Sequence, residues 1–357
     1  MRYPVSKPDL SGNELKYLTE AVESGWISSK GPKVEELESR FADYIGTRYA
    51  VAVSSGTTAL TLALSALKIG EGDEVIVPDF TMIATAWAVS YLGATPVFVD
   101  CWRDLNIDVS LIERKITKNT KAILPVHIYG RPADMVAIRK LAHDYNLFVV
   151  EDCAEAHGAT IEGQKVGSWG DIGCFSLFAN KIITSGEGGL LTTNDERLYR
   201  QVKHLSSMAF DDDHTFLHKK IGYNFRMTNL QAAVALAQLE RIGELIDARK
   251  RVAGWYDELL NGCLETIPRP EGSVVWYYDA LVGTESERNA LTLRLKLDGI
   301  ETRPFFRPMT EQPMYRQLPE RHLAYEFSER GFYLPTHSQL TKGDVQFITD
   351  KIKEYYG

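Results

Sequence analysis

A chain of 357 residues is too long for one minimal domain, and no compositional break divides it into tethered modules, so one large domain with a smaller appendage is expected. Hydrophobic content of 44% with 25% charged residues is that of a globular protein with a sizeable core, and 40 basic against 48 acidic side chains remove the positive field that nucleic-acid binding needs. Cys101, Cys153, Cys174 and Cys263 have neither zinc-site spacing nor the density of a secreted disulfide scaffold; with no signal-like N-terminus and no membrane-length apolar run, a soluble cytoplasmic protein with free thiols and no metal is expected.

Ser11 and Glu14, spaced as a capping box, announce a first helix with Leu15, Leu18 and Val22 on one face and Gly25 at its end. Five short apolar runs follow: YAVAV at 49–53, EVIV at 74–77, PVFV at 96–99, AILPV at 122–126 and FVV at 148–150. Helical stretches such as 57–67 and 133–145 separate them, and the runs are too continuous to be half-exposed, which predicts a mostly parallel α/β sheet covered on both faces. A long alanine- and leucine-rich helix is expected over about 230–260, with Leu236, Leu239 and Ile242 on one face, bridging two domains divided as 1–245 and 246–357. Beyond it come a strand in VVWYYDALV at 274–282, a helix over 285–297, a proline-rich loop at 303–313 and a closing amphipathic helix, together a small α+β domain.

In parallel sheets of this kind ligands sit beyond the carboxyl ends of the strands. Three candidate segments fall there: SSGTTAL after the first strand, PDFTM after the second, and Glu151-Asp152 after the fifth. In SSGTTAL, Gly56 permits a close turn, and Thr57 and Thr58 open a helix whose free N–H groups suit an anion; a plain capped helix start is the alternative. Further on, Lys181 lies between an apolar strand carrying Ser176 and the glycine-rich turn SGEGG. An amine able to form a Schiff base, a carboxylate able to hold a pyridinium proton and a phosphate cradle are the three requirements of pyridoxal phosphate chemistry. Asp152 alone reads as a helix cap; beside Lys181 it reads as the pyridinium partner. Glu155 follows one turn into a helix expected over CAEAHGA, placed to reach toward the cofactor's phenolic oxygen; a solvated helix charge is the alternative. His127, His157 and His337 are scattered singly, without the paired spacing of metal ligands, although His337 in the loop LPTH is a candidate substrate contact. No GxGxxG follows the first strand, which counts against a dinucleotide-binding protein of the same general architecture.

The ordered set GWISSKGP, SSGTTAL, GDEVIVPDFT, GATPVFVD, PVHIYG, EDCAEAHGA, FSLFANKIITSGEGG and GYNFRMTNLQAA resembles the DegT/DnrJ/EryC1/StrS sugar aminotransferases along essentially the whole chain. The resemblance implies an aspartate-aminotransferase-like (fold type I) architecture, bound pyridoxal 5'-phosphate, and transfer of an amino group from glutamate to a nucleotide-linked keto-deoxy-sugar. It also implies a homodimer, or a tetramer, with composite sites. Carried over by position, Lys181 is the Schiff-base lysine and Asp152 the pyridinium partner, while Glu155 stands where relatives often have glutamine. Gly56, Thr57 and Ser176 match phosphate-holding positions, and Asn224 and Arg226 match residues that reach toward the partner subunit's cofactor. Met82 occupies the ring-stacking position that is more often aromatic. TMIATAWA, RMTNLQAA and TRPFFRPM are most similar to the branch that aminates C4 of GDP-linked 4-keto-6-deoxymannose; there, Arg303 and Arg307 would pair with a diphosphate and Phe305 and Phe306 would pack on the ligand. The dehydratase branch of the fold carries histidine in place of the lysine, and Lys181 argues against it.

Overall fold

A computed structural model describes residues 1–210, 216–316 and 322–357. All five apolar runs form strands: β1 (Tyr49–Val53), β2 (Glu74–Pro78), β3 (Thr95–Val99), β4 (Thr120–Ile123) and β5 (Phe148–Asp152). After a two-residue hairpin, β6 (Thr160–Ile161) and β7 (Gln164–Lys165), two more strands, β8 (Ile172–Ser176) and β9 (Gly189–Thr193), complete a seven-stranded sheet of order β1-β9-β8-β5-β4-β2-β3. Only β9 runs against its neighbours, wedged between β1 and β8. Both strands beside Asp152 are therefore parallel to β5 or continue its bottom-to-top sense, and the mostly parallel expectation holds.

The helices, in chain order, are α1 (Glu14–Glu23), α2 (Pro32–Ile45), α3 (Gly56–Ala66), α4 (Ile83–Ser90), α5 (Met135–Tyr145), α6 (Glu196–Ser206), α7 (Asn229–Glu240), α8 (Ile242–Leu259), α9 (Glu285–Leu297), α10 (Leu323–Arg330) and α11 (Lys342–Tyr356). Helix α3 is buried from Ala59 to Leu64, as an apolar helix packed between sheet and neighbouring helices must be. Its start is fixed by Ser55, whose hydroxyl accepts from the Thr58 N–H at 3.1 Å. A second, antiparallel sheet of order β10 (Tyr278–Leu281), β12 (Gly331–Leu334) and β11 (Arg303–Pro304) forms the small C-terminal layer with α9 and α11. Among the described residues no helix is long and apolar enough to cross a membrane.

Four local expectations fail for identifiable reasons. Ser11 donates to Asp9 at 2.6 Å rather than capping α1, and Glu14 turns inward to accept from Gln238 at 2.6 Å, so Leu15 and Val22 face solvent. The long helix breaks at Arg241 into α7 and α8. Leu236, Leu239 and Ile242 are nonetheless all buried, and α8 carries Leu245 into the main core and Val252 and Tyr256 into that of the small sheet. Within 274–282 only Tyr278–Leu281 pairs as a strand. CAEAHGA forms successive turns rather than a helix, because the Cys153 N–H crosses to the Cys174 carbonyl at 2.8 Å and continues the sheet.

Candidate active site

β5 pairs Asp152 with Cys174 of β8, and β1 ends opposite Gly189, so the turns after β1 and β5 and the loop after β8 open at one edge of the sheet. They enclose a cavity of about 350 Å³ lined by Gly56, Thr57, Met82, Asp152, Glu155, Ser176 and Lys181, with Phe178, Trp276, Phe306 and Tyr333 forming its aromatic walls. Eight of the residues singled out in the sequence, Phe306 among them, thus converge on a single space.

Lys181 is held in that space with little water around it. Its Nζ lies 3.8 Å from Glu155 Oε1 and 4.2 Å from the ring centre of Trp276. Burial pulls the amine below the usual lysine range, with Glu155 and Asp152 opposing, and burial pushes Glu155 up to about 7 despite the nearby lysine. Both shifts favour a pair carrying less charge than a full ion pair, the state in which the amine is a nucleophile. Glu155 is fixed by the backbone N–H of Tyr129 at 2.9 Å, and Tyr129 adopts a left-handed φ of 52° to present it.

Asp152 sits deeper, 5% exposed, accepting from Thr85 Oγ1 at 2.9 Å and from the Ala154 N–H at 3.1 Å. Burial raises its pKa, while Ala154, Thr85 and the Lys181 charge oppose the rise. Such a carboxyl is poised to ionise when a cation is placed against it.

The turn after β1 is built for close approach. A Cβ on Gly56 would come within 2.8 Å of Ser176 Cβ, so only glycine lets the first turn of α3 lie on β8. The Thr58 and Ala59 amides are engaged by Ser55, which leaves those of Gly56 and Thr57 at the mouth of the helix, next to the Ser176 hydroxyl. An anion cradle, an under-charged lysine and a buried carboxylate in one cavity fit pyridoxal phosphate.

Other residues singled out lie elsewhere. The Thr58 hydroxyl is occupied in the Ser55 cap, accepting from the Ser55 N–H at 3.0 Å. Phe305 is 3% exposed and packs 5.2 Å from Tyr129, whereas its neighbour Phe306 faces the cavity. Arg303 is exposed, paired with Glu301 at 2.7 Å on a separate groove, and Arg307 is paired with Glu311 at 3.1 Å. His337 is not a surface loop residue but is 4% exposed, outside the cavity lining, with neither ring nitrogen hydrogen-bonded; burial pulls its pKa down to about 4. Asn224 and Arg226 are bonded to each other, Oδ1 accepting from Nη2 at 2.9 Å, on a segment attached to the end of β1 through Ser54 N–H and Phe225 O. Met82 is 50% exposed at the cavity rim. His127, Glu151 and Cys153 cluster, but Glu151 is already saturated by amides of Gly167, Trp169 and Gly170 and the His127 ring accepts from Ala133.

Several contributors escaped the sequence reading, among them Thr85, Phe178, Trp276 and Tyr333. Thr85 carried a signal, lying one helical turn after Thr81 in the segment that follows β2. Trp276 carried none, because it is buried in an apolar run and reaches the lysine only through packing between distant segments.

Residues 8–353 match the DegT/DnrJ/EryC1/StrS aminotransferase family. The chain is 44% identical to the GDP-perosamine synthase of Escherichia coli O157:H7, with 100% of this chain and 99% of that protein covered. It is 45% identical to the GDP-perosamine synthase of Caulobacter vibrioides, covering 97% and 96% respectively. Its fold superposes on the PLP form of the sugar aminotransferase Spr1654 from Streptococcus pneumoniae with a TM-score of 0.92 at 30% identity, over 99% of this chain and 98% of that one. The chain belongs to the DegT/DnrJ/EryC1/StrS family and is a pyridoxal-phosphate-dependent sugar aminotransferase.

Proposed function

We propose that this aminotransferase moves the amino group of glutamate to C4 of GDP-linked 4-keto-6-deoxymannose, forming GDP-perosamine and releasing 2-oxoglutarate. The observation that carries the chemistry is Lys181, an amine whose protonation burial disfavours, beside a carboxyl of raised pKa in the cavity that Asp152 also lines. Full-length likeness to two GDP-perosamine synthases supports the choice of sugar and nucleotide.

When bound, pyridoxal phosphate supplies an aldehyde that carries the amino group between the two half-reactions and a ring that withdraws electrons. Lys181 would hold the cofactor through its Nζ and, as a free amine, would move a proton at the substrate carbon, as general base and then general acid. Asp152, oriented by Thr85, would stabilise a proton on the ring nitrogen. Gly56, Thr57 and Ser176 would hold the phosphate, Met82 would pack on the ring face, and Glu155 would lie near the ring hydroxyl. Phe306, Trp276 and Tyr333 exclude water from the reacting carbon.

The protein works as a cytoplasmic homodimer with a large domain over 1–245 and a small one over 246–357. Asn224 and Arg226, on the segment attached to the end of β1, serve the site of the partner subunit. The test is kcat/KM with glutamate as donor across GDP-, dTDP- and UDP-linked keto-sugars. The GDP-mannose derivative is expected to lead, with amination at C4. Higher kcat/KM for a dTDP- or UDP-linked 4-keto-6-deoxyglucose, or a 3-amino product, refutes the substrate assignment and leaves the aminotransferase standing.

A further inference from the structure

Arg249 lies in the middle of α8, 5% exposed, and all its hydrogen bonds go to backbone carbonyls. Nη1 donates to Trp276 O at 2.6 Å and to Thr336 O at 3.0 Å, and Nη2 donates to Lys181 O at 3.2 Å. Among the described residues it makes no ion pair, which sets it apart from the other buried arginines: Arg131 lies 2.6 Å from Asp279, and Arg288 lies 3.1 Å from Glu285. A buried charge without a counter-ion is expensive, and an apolar side chain of similar volume would fill the same space more cheaply. Retaining it calls for a reason beyond packing.

The acceptors supply one. The segment carrying Lys181 follows β8 without regular structure, so no ladder fixes its backbone. At Asn180 and Lys181 themselves it is held by Lys181 N–H to Phe178 O at 2.9 Å, Trp276 Nε1–H to Asn180 O at 2.9 Å, and Arg249 to Lys181 O. Since Arg249 also holds the carbonyl of Trp276, whose ring covers the lysine amine, one guanidinium fixes both the lysine and its lid.

We propose that Arg249 is a positioning residue for Lys181, fixing its carbonyl through the guanidinium fork and setting an unpaired positive charge against the protonated form of its amine. The groups facing the amine are Glu155 and Asp152, which favour its protonation, and Arg249, which together with burial opposes it. The same guanidinium disfavours protonation of His157 and His337, so its field is felt on both sides of α8. Burial lowers Arg249 itself only to about 10, with Tyr277 opposing, and it stays charged at neutral pH.

The inference rests on the aminotransferase reading, and its test separates the two. Wild type, Arg249→Met and Arg249→Lys are loaded with pyridoxal phosphate, and the visible absorbance is titrated with pH to give the midpoint for the Lys181 nitrogen; kcat, KM and Tm are measured alongside. Removing a nearby like charge is expected to raise the midpoint by about one pH unit in Arg249→Met. Arg249→Lys is expected to keep the wild-type midpoint while kcat falls more than KM changes. A wild-type midpoint in Arg249→Met, with any loss of kcat matched by loss of Tm, overturns the proposal in favour of simple structural support. Should Arg249→Met fail to fold, Arg249→Lys decides: wild-type kcat overturns, reduced kcat at an unchanged midpoint supports. Absence of lysine-bound absorbance in the wild type would instead sink the cofactor assignment itself.

Discussion

Gly56→Ala tests the phosphate cradle through one methyl group. The added Cβ would lie 2.8 Å from Ser176 Cβ and 3.2 Å from Ser176 Cα, neither of which can swing away because β8 is paired on both edges. Reaching an ordinary carbon contact of about 3.5–4.0 Å requires the first turn of α3 to retreat by roughly 1 Å. Overpacking of this kind costs about 1–3 kcal/mol. The better helix propensity of alanine returns at most about 1 kcal/mol, so the clash wins. The retreat carries the Gly56 and Thr57 amides away from the Ser176 hydroxyl, and the phosphate loses simultaneous contact with both. Titrating apoprotein with pyridoxal phosphate by absorbance is expected to show Kd rising at least about tenfold, equivalent to about 1.4 kcal/mol. The apoprotein Tm should fall by a few degrees, roughly 2–4 °C per kcal/mol for a domain of this size. Wild-type Kd in a variant whose Tm has fallen would refute the cradle, since the clash would be real and the anion indifferent to it.

At Gly254, on the exposed side of α8, an added Cβ meets no atom within 4 Å, so Gly254→Ala is expected to stabilise by about 0.5–1 kcal/mol in chemical denaturation, with activity unchanged. Thr85→Val removes the hydroxyl that orients Asp152 while keeping its shape; kcat is expected to fall about tenfold or more with pyridoxal phosphate still bound, and wild-type kcat would show that the hydroxyl is idle. Glu155 is raised from 4.5 to about 7, so the folded apoprotein retains a proton that the unfolded chain releases: its contribution to stability is full below about 4.5 and is lost as pH rises through about 7. Wild-type stability measured from pH 4.5 to 7.5 should therefore decline relative to that of Glu155→Gln, and parallel curves would contradict the shift. If Arg226 serves the partner's site, mixed Lys181→Ala and Arg226→Ala chains, each inactive alone, regain activity in hybrid dimers; no rescue after demonstrated subunit exchange would place Arg226 outside a shared site.

Where local chemistry decides the structure, the sequence was enough to read it. YAVAV, EVIV and FVV are strands because their side chains are buried on both faces, and Gly56, Asp152 and Lys181 meet because strand ends converge on one edge of the sheet. What escaped was set by contacts between distant segments. Ser11 found Asp9 instead of the helix start because Glu14 was drawn to Gln238, over 220 residues away. Phe305 and Phe306 were indistinguishable by composition, and only the docking of β11 on β12 turned the second toward the cavity. The covering of Lys181 by Trp276 likewise depends on packing between segments some 95 residues apart, and no spacing in the sequence encodes it.

The reversed strand β9 has a consequence for how the chain reaches its native state. It joins β1 across roughly 140 residues of sequence, whereas β2, β3, β4 and β5 pair over much shorter separations. The loop bearing Lys181 leads into β9, and the turn bearing Gly56 leaves β1, so the amine and the anion cradle remain apart until this most distant pairing closes. Cofactor capture is thereby tied to the final act of sheet assembly: pyridoxal phosphate added during refolding should slow unfolding of finished molecules without hastening the early pairing of β2 through β5.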